Sequence, residues 1–82
     1  MLQVKKKKVD YAALNSAFMR IAGMKVDAAR ALLDLGFHEA YELRGRDPEA
    51  LFADCKKHRK DLPPEVLKCI KAAVDFAEDG GL

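Results

Sequence analysis

Residues 18–36 of the chain read FMRIAGMKVDAARALLDLG. Gly23 interrupts an apolar helical pattern, and Asp27 is a residue type that caps the start of a helix. Apolar residues at helical spacing follow: Ala28, Ala29, Leu32 and Leu33. Gly36 can then end this helix in the left-handed conformation that other residues avoid. The stretch therefore predicts two helices joined by a glycine turn.

The first of those helices begins before this stretch, near Asp10, and runs into it. Its apolar face would comprise Tyr11, Leu14, Phe18 and Ile21. Asp10 can cap it, because a carboxylate accepts hydrogen bonds from free N–H groups of the first turn.

Three more helices are predicted after Gly36. A short one spans about 38–43, with these residues facing inward: Phe37, Ala40, Tyr41 and Leu43. Asp47 and Pro48 start the next, which runs to about Lys57. The last spans about 64–78, after a break in which Pro64 keeps the preceding residue out of helical geometry. No segment shows strand alternation, so we expect an all-α domain of five short helices.

Length and composition favour one small domain. The chain has 82 residues, half of them hydrophobic, which suffices for one compact core. We expect a flexible basic arm at 1–9, the folded domain at 10–79 and a short tail at 80–82. No apolar run approaches the roughly 18 residues of a membrane span, and none follows the N-terminal lysines as in a signal peptide. With only two cysteines, a cytoplasmic location without membrane contact is expected.

The glycine turn and its flanks resemble a helix-hairpin-helix motif, a fold of the SAM-like type. The motif reads Leu-x-x-Ile-Pro-Gly-Ile-Gly-Pro-x-x-Ala-x-x-Leu-x-x-Leu-Gly. Eight residues here fall on its defining positions: Phe18, Ile21, Gly23, Met24, Ala29, Leu32, Leu35 and Gly36.

A second block is similar to one bacterial family in particular. The segment 35–51 reads LGFHEAYELRGRDPEAL, which resembles the Leu-Gly-Ile…Leu-Arg-Gly-x-Asp-Pro-Glu-x-Leu pattern of the small "pathogenicity locus" proteins. The helix at 64–77 also looks like theirs, so the resemblance covers most of the chain. Some relatives carry a mitomycin-resistance label, which would suit DNA repair or maintenance.

The resemblance implies non-specific, salt-sensitive binding of DNA. In such hairpins, N–H groups of the turn and the positive end of the following helix contact a phosphate. The residues expected to form the contact are Gly23, Met24 and Lys25 in the turn, Arg30 in the helix, and a basic cluster of Lys56, Lys57, Arg59 and Lys60.

The hairpin departs from the motif in ways that leave a second interpretation open. Lys25 replaces the second glycine, Ala22 and Val26 replace prolines, and Asp27 puts a negative charge where a phosphate would sit. The turn could then serve only packing, in a scaffold domain that binds an unidentified protein. That interpretation predicts an exposed apolar patch, with Phe76 as its candidate because it lies off the main stripe of its helix.

Other chemistry has little support in the sequence. Cys55 and His58 lie three residues apart, with Cys69 and His38 as distant further ligands, whereas zinc favours four ligands at tighter spacing. The same pair lacks an evident oxyanion donor or orienting group for nucleophilic catalysis. We therefore expect no enzyme activity, no cofactor and no metal, with both cysteines filling the core.

Overall fold

The computed structural model describes residues 10–80, which form helices joined by turns and contain no strand. The all-α prediction is confirmed. Four α-helices form: α1 (Tyr11–Leu14), α2 (Val26–Asp34), α3 (Pro48–His58) and α4 (Glu65–Glu78). Two 3₁₀ helices, Ala17–Arg20 and Ala40–Leu43, stand where the sequence predicted α-helix.

The predicted first helix is broken after one turn. The Ser16 hydroxyl donates to the Ala13 carbonyl at 2.7 Å, and the Ser16 N–H donates to the same oxygen at 3.1 Å. Such local bonds compete with the α-helical ladder, so the chain continues as a 3₁₀ helix at a new angle. Phe18 and Ile21 consequently reach the core, whereas Tyr11 and Leu14 are exposed. The single apolar face predicted from their spacing is wrong for these two.

An ion pair attaches α1 to α2. Asp10 caps α1 by accepting from the Ala13 N–H at 3.1 Å, as predicted. Its two carboxylate oxygens also accept from Nε and Nη2 of Arg30, each at 2.7 Å. Arg30 Nη1 donates to Asp34 at 3.1 Å. Arg30 thus joins the cap of one helix to the body of the next in a two-bond geometry that suits its planar group.

The starts of α3 and α4 follow their sequence signals. The Asp47 carboxylate accepts from the Glu49 N–H at 3.1 Å, and Pro48 occupies the first position of α3. Pro64 precedes α4, which begins at Glu65. At the other end of α4, the Glu78 carboxylate accepts from the Gly45 N–H, which holds the turn before α3 against this helix.

The core is centred on α4, which packs against α2, α3 and the second 3₁₀ helix. The largest fully buried side chains come from different elements: Phe18, Leu32, Leu43 and Ile70. Cys55 and Cys69 are free thiols buried in the same core. Two burial predictions need correction, one for a residue predicted to face inward and one for a residue predicted to be exposed. Tyr41 is 66% exposed, whereas Ala40 and Leu43 of the same 3₁₀ helix are buried, and a turn this tight has no second inward-facing row. Phe76, expected at the surface, is half-buried against the core.

The predicted domain bounds fall partly outside this region. The arm at 1–9 and the last two residues of the tail lie outside the described residues. Within 10–80, no helix combines the length and apolarity needed to cross a membrane.

Candidate nucleic-acid interface

The hairpin turn is built around Gly23. Its φ of +82° is left-handed, and a Cβ at this position would meet no atom within 4 Å. Glycine is therefore required here by backbone conformation, not by crowding. The Met24 N–H donates to the Ile21 carbonyl at 3.1 Å and its side chain is buried, so Met24 anchors the turn. Its N–H is already paired, which removes one of the donors expected to meet a phosphate.

The start of α2 differs from the predicted one. Lys25 occupies the N-cap position with extended backbone, and no side chain of the described region caps this helix. Asp27 is an exposed first-turn residue, not the cap. First-turn N–H groups therefore keep their partial positive charge. The Asp27 carboxylate offsets part of that charge on the solvent side.

An open pocket of about 390 Å³ lies between the hairpin turn and α4. It is lined by Ala22, Gly23, Lys25, Glu65, Lys68, Cys69 and Ala72. Lys25 is the N-cap of α2 and Glu65 is the first residue of α4, so two helices begin at this pocket. The positive ends of both helix dipoles therefore border it.

A hydrogen bond holds the turn against α4. The Cys69 thiol donates to the Gly23 carbonyl with an Sγ–O distance of 3.5 Å. Lys68 precedes it in α4 and brings a second ammonium group to the pocket beside Lys25. Lys68 could not be found from the sequence, because it lies 43 positions after Lys25 and no local signal links the two. Among the described residues, neither lysine forms an ion pair.

Arg30 is not grouped with the turn residues. Its guanidinium donates to Asp10 and Asp34, and these pairs raise its pKa further above the ordinary value. The same contact holds the pKa of Asp10 down at about 2, mainly through the hydrogen bond from Arg30 and then the Ala13 N–H. Arg30 thus joins α1 to α2, and its guanidinium donors, which were predicted to contact a phosphate, are engaged within the protein.

The basic cluster occupies the end of α3 and the turn after it. Lys56 lies 5.7 Å from the Phe52 ring centroid, and Lys57 pairs with Asp54 at 3.5 Å. Arg59 is half-buried and Lys60 is exposed. None of the four lines the pocket. Lys60 nevertheless precedes Glu65 by only five residues, so their Cα atoms lie within about 18 Å of each other.

The cysteines show no metal or nucleophilic arrangement in the described part of the chain. Residues 10–80 contain no group of three or more His, Cys, Asp or Glu residues able to hold an ion. Burial, with smaller contributions from Asp54 and Asp34, raises the pKa of the Cys55 thiol to about 11. Cys55 is therefore protonated at neutral pH and is a poor nucleophile.

The exposed apolar side chains lie away from the position predicted for them. Tyr11 is 67% exposed and Leu14 is 41% exposed, both on α1, and Tyr41 projects from the second 3₁₀ helix. Phe76 contributes to packing instead.

Comparison with known proteins identifies the family. Searches of curated proteins and of solved structures gave no match. A family model described as "Pathogenicity locus" matches residues 12–81, which includes both the hairpin and the segment around Gly45. The chain therefore belongs to the pathogenicity locus family.

Proposed function

We propose that this protein is a non-enzymatic module that binds DNA without sequence preference, through the phosphate backbone. The observation that carries the proposal is the pocket at which Lys25, Lys68 and the starts of α2 and α4 meet. Lysine ammonium groups and helix N-termini both favour an anion. Contacts of this kind position a protein on a duplex but read no base sequence.

The charge pattern around the pocket makes the expected affinity modest. Glu65 and Asp27 are the acidic residues nearest the two helix starts, and they oppose part of the attraction. The formal net charge of the chain is only +2. Binding should therefore be weak at physiological salt and stronger at low salt, where exposed charges are less screened.

The test is fluorescence anisotropy with a labelled duplex of arbitrary sequence at low and at physiological salt. Lys25→Glu is compared with Lys71→Glu, which makes the same change in net charge on the exposed surface of α4, outside the pocket. We expect Lys25→Glu to weaken binding at least about tenfold, since one attractive contact becomes repulsive. Lys71→Glu should weaken it far less. Equal losses in the two variants would contradict a site at the hairpin.

A protein-binding role is the second candidate, and the exposed face of α1 favours it. Tyr11 and Leu14 lie three residues apart and together expose apolar surface that no described residue covers. Tyrosine is enriched in protein interfaces because it combines apolar area with a hydrogen-bonding hydroxyl. Absence of DNA binding even at low salt would overturn the first proposal and favour this face.

A further inference from the structure

The pocket beside the hairpin is concave, and the side chains around its floor are small. Ala22, Gly23 and Ala72 contribute at most a methyl group each, and the Cys69 thiol is turned toward the Gly23 carbonyl. A volume of about 390 Å³ is thus left open between the turn and α4. That space lies within the range of small-molecule sites, so it exceeds what one backbone phosphate passing over a turn requires.

The charge of the pocket selects among phosphate groups. Two lysines and one glutamate give its lining a net positive charge, to which the two helix starts add. A phosphomonoester carries about −1.5 to −2 charges near neutral pH, whereas each backbone phosphodiester carries one. Because Coulomb attraction scales with the ligand's charge, this pocket should prefer the monoester.

The concave shape of the pocket indicates which part of a DNA strand would supply that monoester. A phosphodiester within a duplex is flanked on both sides by further nucleotides, which must run over the rim. A strand terminus is continuous on one side only, so its phosphate and part of its sugar can enter the pocket without a second flanking nucleotide meeting the rim. The Cys69 bond keeps the turn in place without a ligand, which limits the ordering cost of binding.

We propose that the pocket between the Gly23 turn and α4 receives the terminal phosphomonoester of a DNA strand, held by Lys25 and Lys68. This inference rests on the proposed DNA binding and adds to it a preference for phosphorylated ends. Lys68 lines the α4 side of the pocket, opposite the turn, and would contact a phosphate that enters the pocket. We therefore expect Lys68 to favour a terminal phosphate over the phosphates of the continuous backbone.

The experiment measures anisotropy of a short oligothymidylate labelled at one end and carrying either a phosphate or a hydroxyl at the other. Both 5′ and 3′ phosphates are tested, with wild type, Lys68→Gln and Lys71→Gln. For one of the two phosphorylated ends we expect about five- to tenfold tighter binding than for the hydroxyl end. Lys68→Gln should bring that ratio close to one, whereas Lys71→Gln should preserve it.

The outcomes separate this inference from the proposed function. Equal affinity for phosphate and hydroxyl ends, with DNA binding still lost in Lys25→Glu, would overturn the end preference alone. No binding at low salt of any of these strands or of the labelled duplex would overturn both. Thymidine monophosphate carries the same phosphomonoester without a DNA strand, so its affinity is measured for comparison. If it bound as tightly as the phosphorylated strand, the assignment to a strand end would be wrong.

Discussion

Gly23 and Gly36 take the same left-handed conformation at opposite ends of α2. Their φ angles are +82° and +98°, and a Cβ at either position would meet no atom within 4 Å. Alanine would therefore strain the backbone at both sites without a steric clash. The two residues differ in their surroundings, because Gly23 lines the pocket and Gly36 follows the other end of α2, a helix about 13.5 Å long.

This difference gives a matched pair of variants. We expect Gly23→Ala and Gly36→Ala each to lower the free energy of unfolding by about 1 kcal/mol, as measured by urea denaturation. Only Gly23→Ala should weaken DNA binding in the anisotropy assay, because its methyl group would project into the pocket. If both variants bound DNA as the wild type does, close approach of the ligand to the turn would be ruled out.

The short helices of this fold depend for their stability on contacts with one another. Four-residue α1 is too short to persist alone, since a helix nucleus costs more than its first hydrogen bonds return. Asp10 stabilises it twice, by capping its first turn and by pairing with Arg30 on α2. The pKa of Asp10 is lowered because the Arg30 and Ala13 hydrogen bonds favour the charged carboxylate in the folded protein.

The pKa of Asp10 predicts a pH dependence of stability. It falls from an ordinary value of 3.8 to about 2 on folding, so the stabilisation is fully present above pH 3.8 and is lost as the pH falls through about 2. Asp10→Asn should lower the melting temperature at neutral pH, and the difference from wild type should shrink toward pH 2. Asp75→Asn, an exposed change of equal charge on α4, should leave melting almost unchanged. A difference that stayed constant with pH would show that the Arg30 pair contributes nothing.

The pocket and the basic cluster lie near each other in the folded protein. Lys60 lies five residues before Glu65, where α4 begins, and the pocket lies at the start of that helix. The maximum separation of about 18 Å corresponds to roughly five nucleotides along one strand. One DNA molecule could therefore span both sites.

The salt dependence of binding tests this arrangement. For each phosphate contact that is removed, the slope of log affinity against log salt should fall by about one. We expect this loss for Lys25→Gln and for Lys60→Gln, and about twice the loss for the double variant. Lys71→Gln should keep the wild-type slope. An unchanged slope in Lys60→Gln would mean that the basic cluster is only solvated surface.

Local chemistry in the sequence determined where most helices start and stop. Asp47 and Pro48 begin α3, Pro64 precedes α4, and Gly23 and Gly36 lie on either side of α2, as their residue types predict. These signals act through the nearest few backbone groups, so they can be read without knowledge of the fold. The apolar stripe of α4 could also be predicted from the sequence, because this helix is long enough for the helical spacing of its apolar residues to be recognised.

Tertiary structure alone decided which side chains share a surface. It placed Lys68 beside Lys25, and it engaged Arg30 with Asp10, 20 residues earlier in the chain. It also left Tyr11, Leu14 and Tyr41 exposed, although their spacing matched a buried face. Helical periodicity in the sequence indicates only which residues share one face of a helix. Which side meets another element depends on the angle at each break, and the Ser16 bond to Ala13 set that angle for α1.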